Sequence, residues 1–211
     1  MESFPGEKGD VVVQHLIKTI QDNAAYLSEI DGAIGDGDHG INMSKGFTLA
    51  SERLGDHVTL SDGLQTIGST LLEEIGGAMG PLYGLLFQEM AFACKGKTEV
   101  DKETFGEMLR AAVDAVADIG GAKPGDKTLI DTLIPARDAY TNAVAAGVPF
   151  ADALRAMADG AEQGKESTRD LVAKMGRASR LGERSRGHLD AGATSCCLIL
   201  KSLADSITTL L

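Results

Sequence analysis

Three aspartates, Asp31, Asp36 and Asp38, fall with four glycines inside the twelve-residue stretch DGAIGDGDHGIN. Carboxylates crowded in this way repel one another unless something positive lies between them. On a helix, at about 100° per residue, Asp31 and Asp38 would share a face and Asp36 would point roughly the opposite way. Four glycines, at up to about 1 kcal/mol each relative to alanine, argue against a helix here. The stretch reads as a loop that aims all three carboxylates inward, and hard cations with oxygen ligands, Mg²⁺ or Ca²⁺, suit such a set. An EF-hand frame fails, because counting from Asp36 puts Gly40 and Phe47 at its fifth and twelfth places. Mg²⁺ keeps waters and takes further ligands from substrate phosphates, so it fits better. The simpler alternative is a set of solvated turn aspartates with Asp38 capping a helix.

Other segments carry complementary chemistry. HGIN follows the aspartates and opens a helical pattern, so His39 and Asn42 would stand at a helix N-terminus able to receive an anion. GGAKPGDKT, residues 120–128, nearly spells a P-loop. Asp126 intrudes between Gly125 and Lys127, however, and the preceding AAVDAVADIG is helical in pattern where a strand is required. The P-loop is rejected, which leaves a flexible loop ending in Thr128 as a plausible helix cap and nucleotide contact. GRASRLGERSRGHLDAG gathers Arg177, Arg180, Arg184, Arg186 and His188 between glycines. The planar guanidinium suits phosphate oxygens, and a glycine-hinged basic segment would close over such a ligand. A solvated basic connection between helices is the plainer reading.

The elements that must position these residues are helical. Of 211 residues, 43% are hydrophobic and only 4% aromatic, with no tryptophan. An alanine-rich, aromatic-poor core favours close-packed helices over a sandwich of strands. Apolar residues recur at helical spacing in eight segments joined by short turns, with no convincing strand, repeat or low-complexity linker. One all-α domain over residues 1–211 is the economical reading, and alternate loops of an up-and-down array would bring most glycine clusters to one end. The net charge of −11 and pI of about 4.8 disfavour nucleic acid and anionic membrane as partners. No apolar run approaches the roughly 20 residues of a membrane span, and the N-terminus lacks a signal-peptide pattern. Cys94, Cys196 and Cys197 form no CxxC pair and read as small buried hydrophobes in a reducing cytoplasm.

In order, DGAIGDGDHGINM, GGAMGPLYG, GDKTLIDTLIPA and GRASRLGERSRGHLDAGATS resemble the nucleotide-binding L subunits of dihydroxyacetone kinases, from about residue 10 to the C-terminus. The resemblance implies an eight-helix antiparallel barrel carrying ADP or ATP with two Mg²⁺ at one end. Asp31, Asp36 and Asp38 would ligate the metals, and His39, Gly40, Ile41 and Asn42 would lie along the phosphates. Met79 and Gly80 would contact phosphate through backbone. The family commonly has serine where Met79 stands, so a hydroxyl contact is lost or supplied by main chain. Gly121, Thr128 and Leu129 would flank base and ribose, while Arg177 and the turn of Asp190, Ala191 and Gly192 complete the pocket. The family often shows PDPGA where this chain has LDAGA.

No catalytic side chain is implied, because phosphoryl transfer needs positioning and charge neutralisation more than a protein nucleophile. The ketose would be held on a separate K subunit, and a phosphohistidine protein of the phosphoenolpyruvate-dependent system (the M-type subunit) would rephosphorylate bound ADP. The alternatives are a subunit of an ATP-dependent kinase for a C3–C4 sugar such as erythrulose, a non-catalytic nucleotide-binding regulator, and the nucleotide lobe of a fatty acid kinase.

Overall fold

A computed structural model describes residues 2–211. Nine α-helices occupy most of them: α1 (Gly9–Asp22), α2 (Ala24–Ile34), α3 (His39–Arg53), α4 (Leu60–Glu74), α5 (Met79–Ala93), α6 (Lys102–Gly120), α7 (Ile130–Ala145), α8 (Phe150–Ser167) and α9 (Ala191–Thr208). Helix α1 shows why the pattern folds as it does, since Val12, Val13, Leu16, Ile17 and Ile20 form one buried stripe. Side-chain caps start α4 and α6. Thr59 accepts from Asp62 N–H at 3.1 Å and Asp101 from Thr104 N–H at 2.8 Å.

Packing follows a closed ring. Each helix from α3 to α9 contacts the next, α9 contacts α1, and α1 returns to α3. Eight helices therefore form the ring, and α2 is a ninth that lies against α3 and α9. The eight expected helical segments become nine helices because the first of them divides at Asn23. There the chain turns with φ −102° and ψ 9°, and the Asn23 side chain donates to Thr19 O. The absence of strands needs one correction. Ser3–Pro5 (β1) pairs antiparallel with Glu99–Asp101 (β2), Phe4 opposite Val100. Three residues a side is too little for sequence periodicity to reveal.

Aromatic side chains are few and are used in clusters, with Phe105, Tyr140 and Phe150 edge to face at one level and Phe47 against Phe87 at another. Helix α9 is buried on nearly every side: thirteen of its eighteen residues are buried, Ser195, Cys196 and Cys197 among them. All three cysteines are free and buried, as expected. Burial pushes the thiols up, to about 11 for Cys94 and about 12 for Cys197, so they stay protonated hydrophobes.

Small residues set the helix spacings. A Cβ on Gly164 of α8 would lie 2.3 Å from Asp131 O and 2.8 Å from Thr132 Cα of α7, both backbone. Gly164→Ala therefore forces α7 and α8 apart, and overpacking of this kind costs about 1–3 kcal/mol. The melting temperature is expected to fall by about 2–12 °C, at roughly 2–4 °C per kcal/mol for a chain of this size. An unchanged thermal melt would show that the pair separates freely.

Candidate functional site

Four connections meet at one end of the ring: α2–α3, α4–α5, α6–α7 and α8–α9. The aspartate stretch is not wholly a loop. Helix α2 runs to Ile34, so Asp31 sits in its last turn and only Gly35–Asp38 are non-helical. Packing overrides the glycine cost here, because Leu27 and Ile34 anchor α2 in the interior. The expected convergence holds nonetheless: ligand oxygens of Asp31, Asp36 and Asp38 all lie within 4.8 Å of one another. Asp38 precedes α3 but its side chain caps nothing. It turns instead toward Arg177, 3.3 Å from Nη1, and the same guanidinium contacts Asp36.

Helix α3 brings His39, Gly40, Ile41 and Asn42 beside this cluster. Asp31 accepts from His39 N–H at 3.3 Å. Gly40 is required by close approach, since a Cβ there would stand 1.9 Å from Ala24 O of α2. His39 Nε2 meets Ser195 Oγ of α9 at 2.8 Å, Ser195 Oγ meets Tyr83 Oη of α5 at 2.6 Å, and Tyr83 donates to Gly192 O at 2.8 Å. This relay fixes the first turns of α3, α5 and α9 against one another. Burial lowers the His39 pKa to about 4, opposed by the charge of Asp31, so the ring is neutral at pH 7.

The α6–α7 connection completes this end. Gly121 caps α6 in the left-handed region with φ +62°, where glycine is at ease. Asp131 of α7 accepts from Gly125 N–H at 2.5 Å and Thr128 N–H at 2.8 Å, and Thr128 Oγ1 accepts from Ile130 N–H at 3.2 Å. The cap position of α7 is Leu129, which has no side-chain cap, so Thr128 is not the helix cap expected of it: it lies one residue earlier and reaches Ile130 N–H from there. Leu129 N lies 3.6 Å from where a Cβ on Gly192 would stand, which joins this loop to the Asp190–Ala191–Gly192 turn. Among the described residues, Met79 and Gly121 stand outside the side-chain network. Met79 packs partly buried on the core, one turn before Tyr83.

Sequence reasoning missed Tyr83, Lys127, Asp131 and Ser195 as organisers. Each lies inside a quoted motif (GPLYG, GDKT, LID and GATS). Tyr83 and Ser195 meet across 112 residues and Lys127 reaches carbonyls 41 to 61 residues away, which no local signal marks, whereas the bonds of Asp131 to Gly125 and Thr128 are local.

Residues 33–205 match the DAK2 domain. The chain belongs to the DAK2 domain family. It is 37% identical over 200 residues to the ADP-binding subunit DhaL of phosphoenolpyruvate-dependent dihydroxyacetone kinase 2 from Listeria innocua, covering 93% of this chain and 92% of that one. It is 39% identical over 181 residues to the corresponding Escherichia coli subunit, covering 85% and 86%. The crystal structure of the C. freundii dihydroxyacetone kinase with AMP-PNP and Mg²⁺ superposes with a TM-score of 0.68 at 25% identity, over 97% of this chain and 35% of that longer one.

In this DAK2 chain, Asp190 illustrates how the site opposes stability. Its Oδ2 accepts from Ala193 N–H at 2.7 Å as the cap of α9, yet burial raises its pKa to about 6, against the lowering effects of that hydrogen bond and Lys127. An acid whose folded pKa exceeds its unfolded value of about 3.9 favours folding when protonated, and that contribution is lost as pH rises through the window between them. Asp190→Asn keeps the cap without the charge. The variant is expected to match wild type near pH 4 and to exceed it by on the order of 2 kcal/mol above pH 6, read from denaturant unfolding without nucleotide. A difference independent of pH would show that Asp190 stays ionised at no cost.

Proposed function

We propose that this protein is the nucleotide-binding subunit of a dihydroxyacetone kinase, acting on a ketose held by a separate subunit. The observation that carries the reading is the convergence of three carboxylates within 4.8 Å beside the N-termini of α3, α5 and α9. Its setting is a chain alike over nearly its whole length to ADP-binding subunits. Carboxylates hold divalent cations, and first-turn N–H groups with the positive ends of helices receive phosphates. The donor set is all oxygen and carries three negative charges, which would suit two Mg²⁺ ions bound with a nucleotide.

Bound nucleotide with its Mg²⁺ supplies the phosphoryl group that passes to a hydroxyl of the ketose. This chain's residues orient and neutralise. Asp31, Asp36 and Asp38 hold the cations. The amides of Gly40, Ile41 and Gly80, in the first turns of α3 and α5, would receive the phosphates, and Thr128, Leu129 and Gly192 would bound the rest of the nucleotide. Neutral His39, fixed by Ser195, offers a hydrogen bond without adding a charge that would compete with metal. Arg177, already drawn to Asp36 and Asp38, lies where it would share the phosphate charge. Ile41 and Met175, apolar and exposed, stand beside the charged centre on segments a K-type subunit would cover, excluding water. A phosphohistidine protein is the proposed donor that restores the nucleotide, in keeping with relatives named as ADP-binding subunits of phosphoenolpyruvate-dependent kinases.

Two measurements test this. ADP with Mg²⁺ should raise the melting temperature and ADP in excess chelator should not; equal shifts would remove the metal from the site. In a system reconstituted with a K-type subunit and phosphate donor, Asp36→Asn should lower ketose phosphorylation at least about 100-fold, near 2.7 kcal/mol of barrier, with the fold intact. Turnover like wild type would return Asp36 to a turn residue, and steady turnover by this chain with ATP alone would end the two-subunit reading.

A further inference from the structure

Lys127 is 1% exposed and has the left-handed backbone, φ +63°, that side-chain-bearing residues rarely adopt. Its Nζ donates to four carbonyls: Thr168 O at 2.7 Å, Leu171 O at 3.2 Å, Ser185 O at 2.8 Å and His188 O at 2.6 Å. An ammonium has three N–H bonds, so one is shared between two acceptors. No carboxylate pairs with it among the described residues. Burial lowers its pKa, and the charge of Asp190 opposes that shift.

All four acceptors belong to the connection between α8 and α9. Thr168 and Leu171 lie where that connection leaves α8, and Ser185 and His188 where it returns toward α9. The excursion between them carries Arg177. Other bonds close the same base: Gly187 N–H to Arg169 O at 2.7 Å, Ala173 N–H to Ser185 Oγ at 2.9 Å, and Asp190 N–H to Thr168 Oγ1 at 3.1 Å. Lys174 ties the excursion back to Asp126, the residue before Lys127.

We propose that Lys127 is a positioning residue whose ammonium gathers both ends of this excursion onto the α6–α7 loop and so holds Arg177 over Asp36 and Asp38. The role follows from shape. Four carbonyls converging on one point suit a compact ammonium, whereas the planar guanidinium of arginine cannot satisfy them. The inference rests on the nucleotide-binding reading only for its consequence, not for the knot.

Amide exchange on the nucleotide-free protein tests the knot itself. Lys127→Met should speed exchange at least about tenfold across residues 168–188 and leave α4 and α5 unchanged. Release of ADP from its Mg²⁺ complex then tests the consequence. Lys127→Met and Arg177→Ala should each speed release about tenfold, and the double variant no more than the faster single one, because both act through one guanidinium. Lys127→Arg should fail to restore the wild-type rate. Should Lys127→Met not fold, Ser185→Ala loosens the same base from its other side and should speed exchange and release about threefold. Unchanged exchange in 168–188 overturns the proposal, as do multiplicative effects of the two single substitutions on release. Failure of ADP to bind wild type would overturn the nucleotide reading while leaving the exchange result to decide the knot.

Discussion

Three carboxylates within 4.8 Å of one another are a standing repulsion, and the end of the ring that holds them is built around it. The charges are held together because Asp31 belongs to a packed helix and because Asp36 and Asp38 follow it at once in a four-residue turn. Asp31 cannot withdraw while α2 keeps its seat on α3 and α9. Positive partners answer instead: the guanidinium of Arg177, the His39 amide and the N-terminal ends of three helices. In this arrangement the folded chain carries an electrostatic cost that a bound cation would relieve.

The same economy governs the uncharged groups nearby. His39 is neutral and Asp190 holds its proton up to about pH 6, both through burial. Above that pH Asp190 is ionised, and its burial then costs stability. Groups held in unfavourable states are tolerated where binding depends on them. The Tyr83–Ser195 contact then makes three helix starts one rigid frame, so that a phosphate would meet amides already in place.

Much of this was legible in the residues. The aspartates and the four-arginine segment stand out because charge among glycines is unusual, and their meeting at Arg177 follows from alternate loops sharing an end. The Asn23 break was not legible, since Tyr26 and Leu27 continue the apolar period of α1 and only the backbone turn divides them. Asp31 was placed in a loop because glycine propensity was weighed without the packing of Leu27 and Ile34. Lys127 was set aside with the rejected P-loop. Its partners are backbone carbonyls, which have no residue type and leave no mark in a sequence. Ser195 and Tyr83 lie 112 residues apart, beyond the reach of any periodicity.

Helix α9 has a consequence in time as well as in space. It follows the other eight helices in the chain, yet it fills the interior and closes the ring against α1 through contacts such as His15 with Ser202, 187 residues apart. During synthesis from the N-terminus, the earlier helices emerge with their inner faces uncovered and wait for it. The turn of Asp190 to Gly192 and the hydroxyl of Ser195 arrive on that same helix. The barrel and its ligand end therefore come into being together, and a growing chain has no partly closed stage in which the crowded aspartates meet a finished pocket.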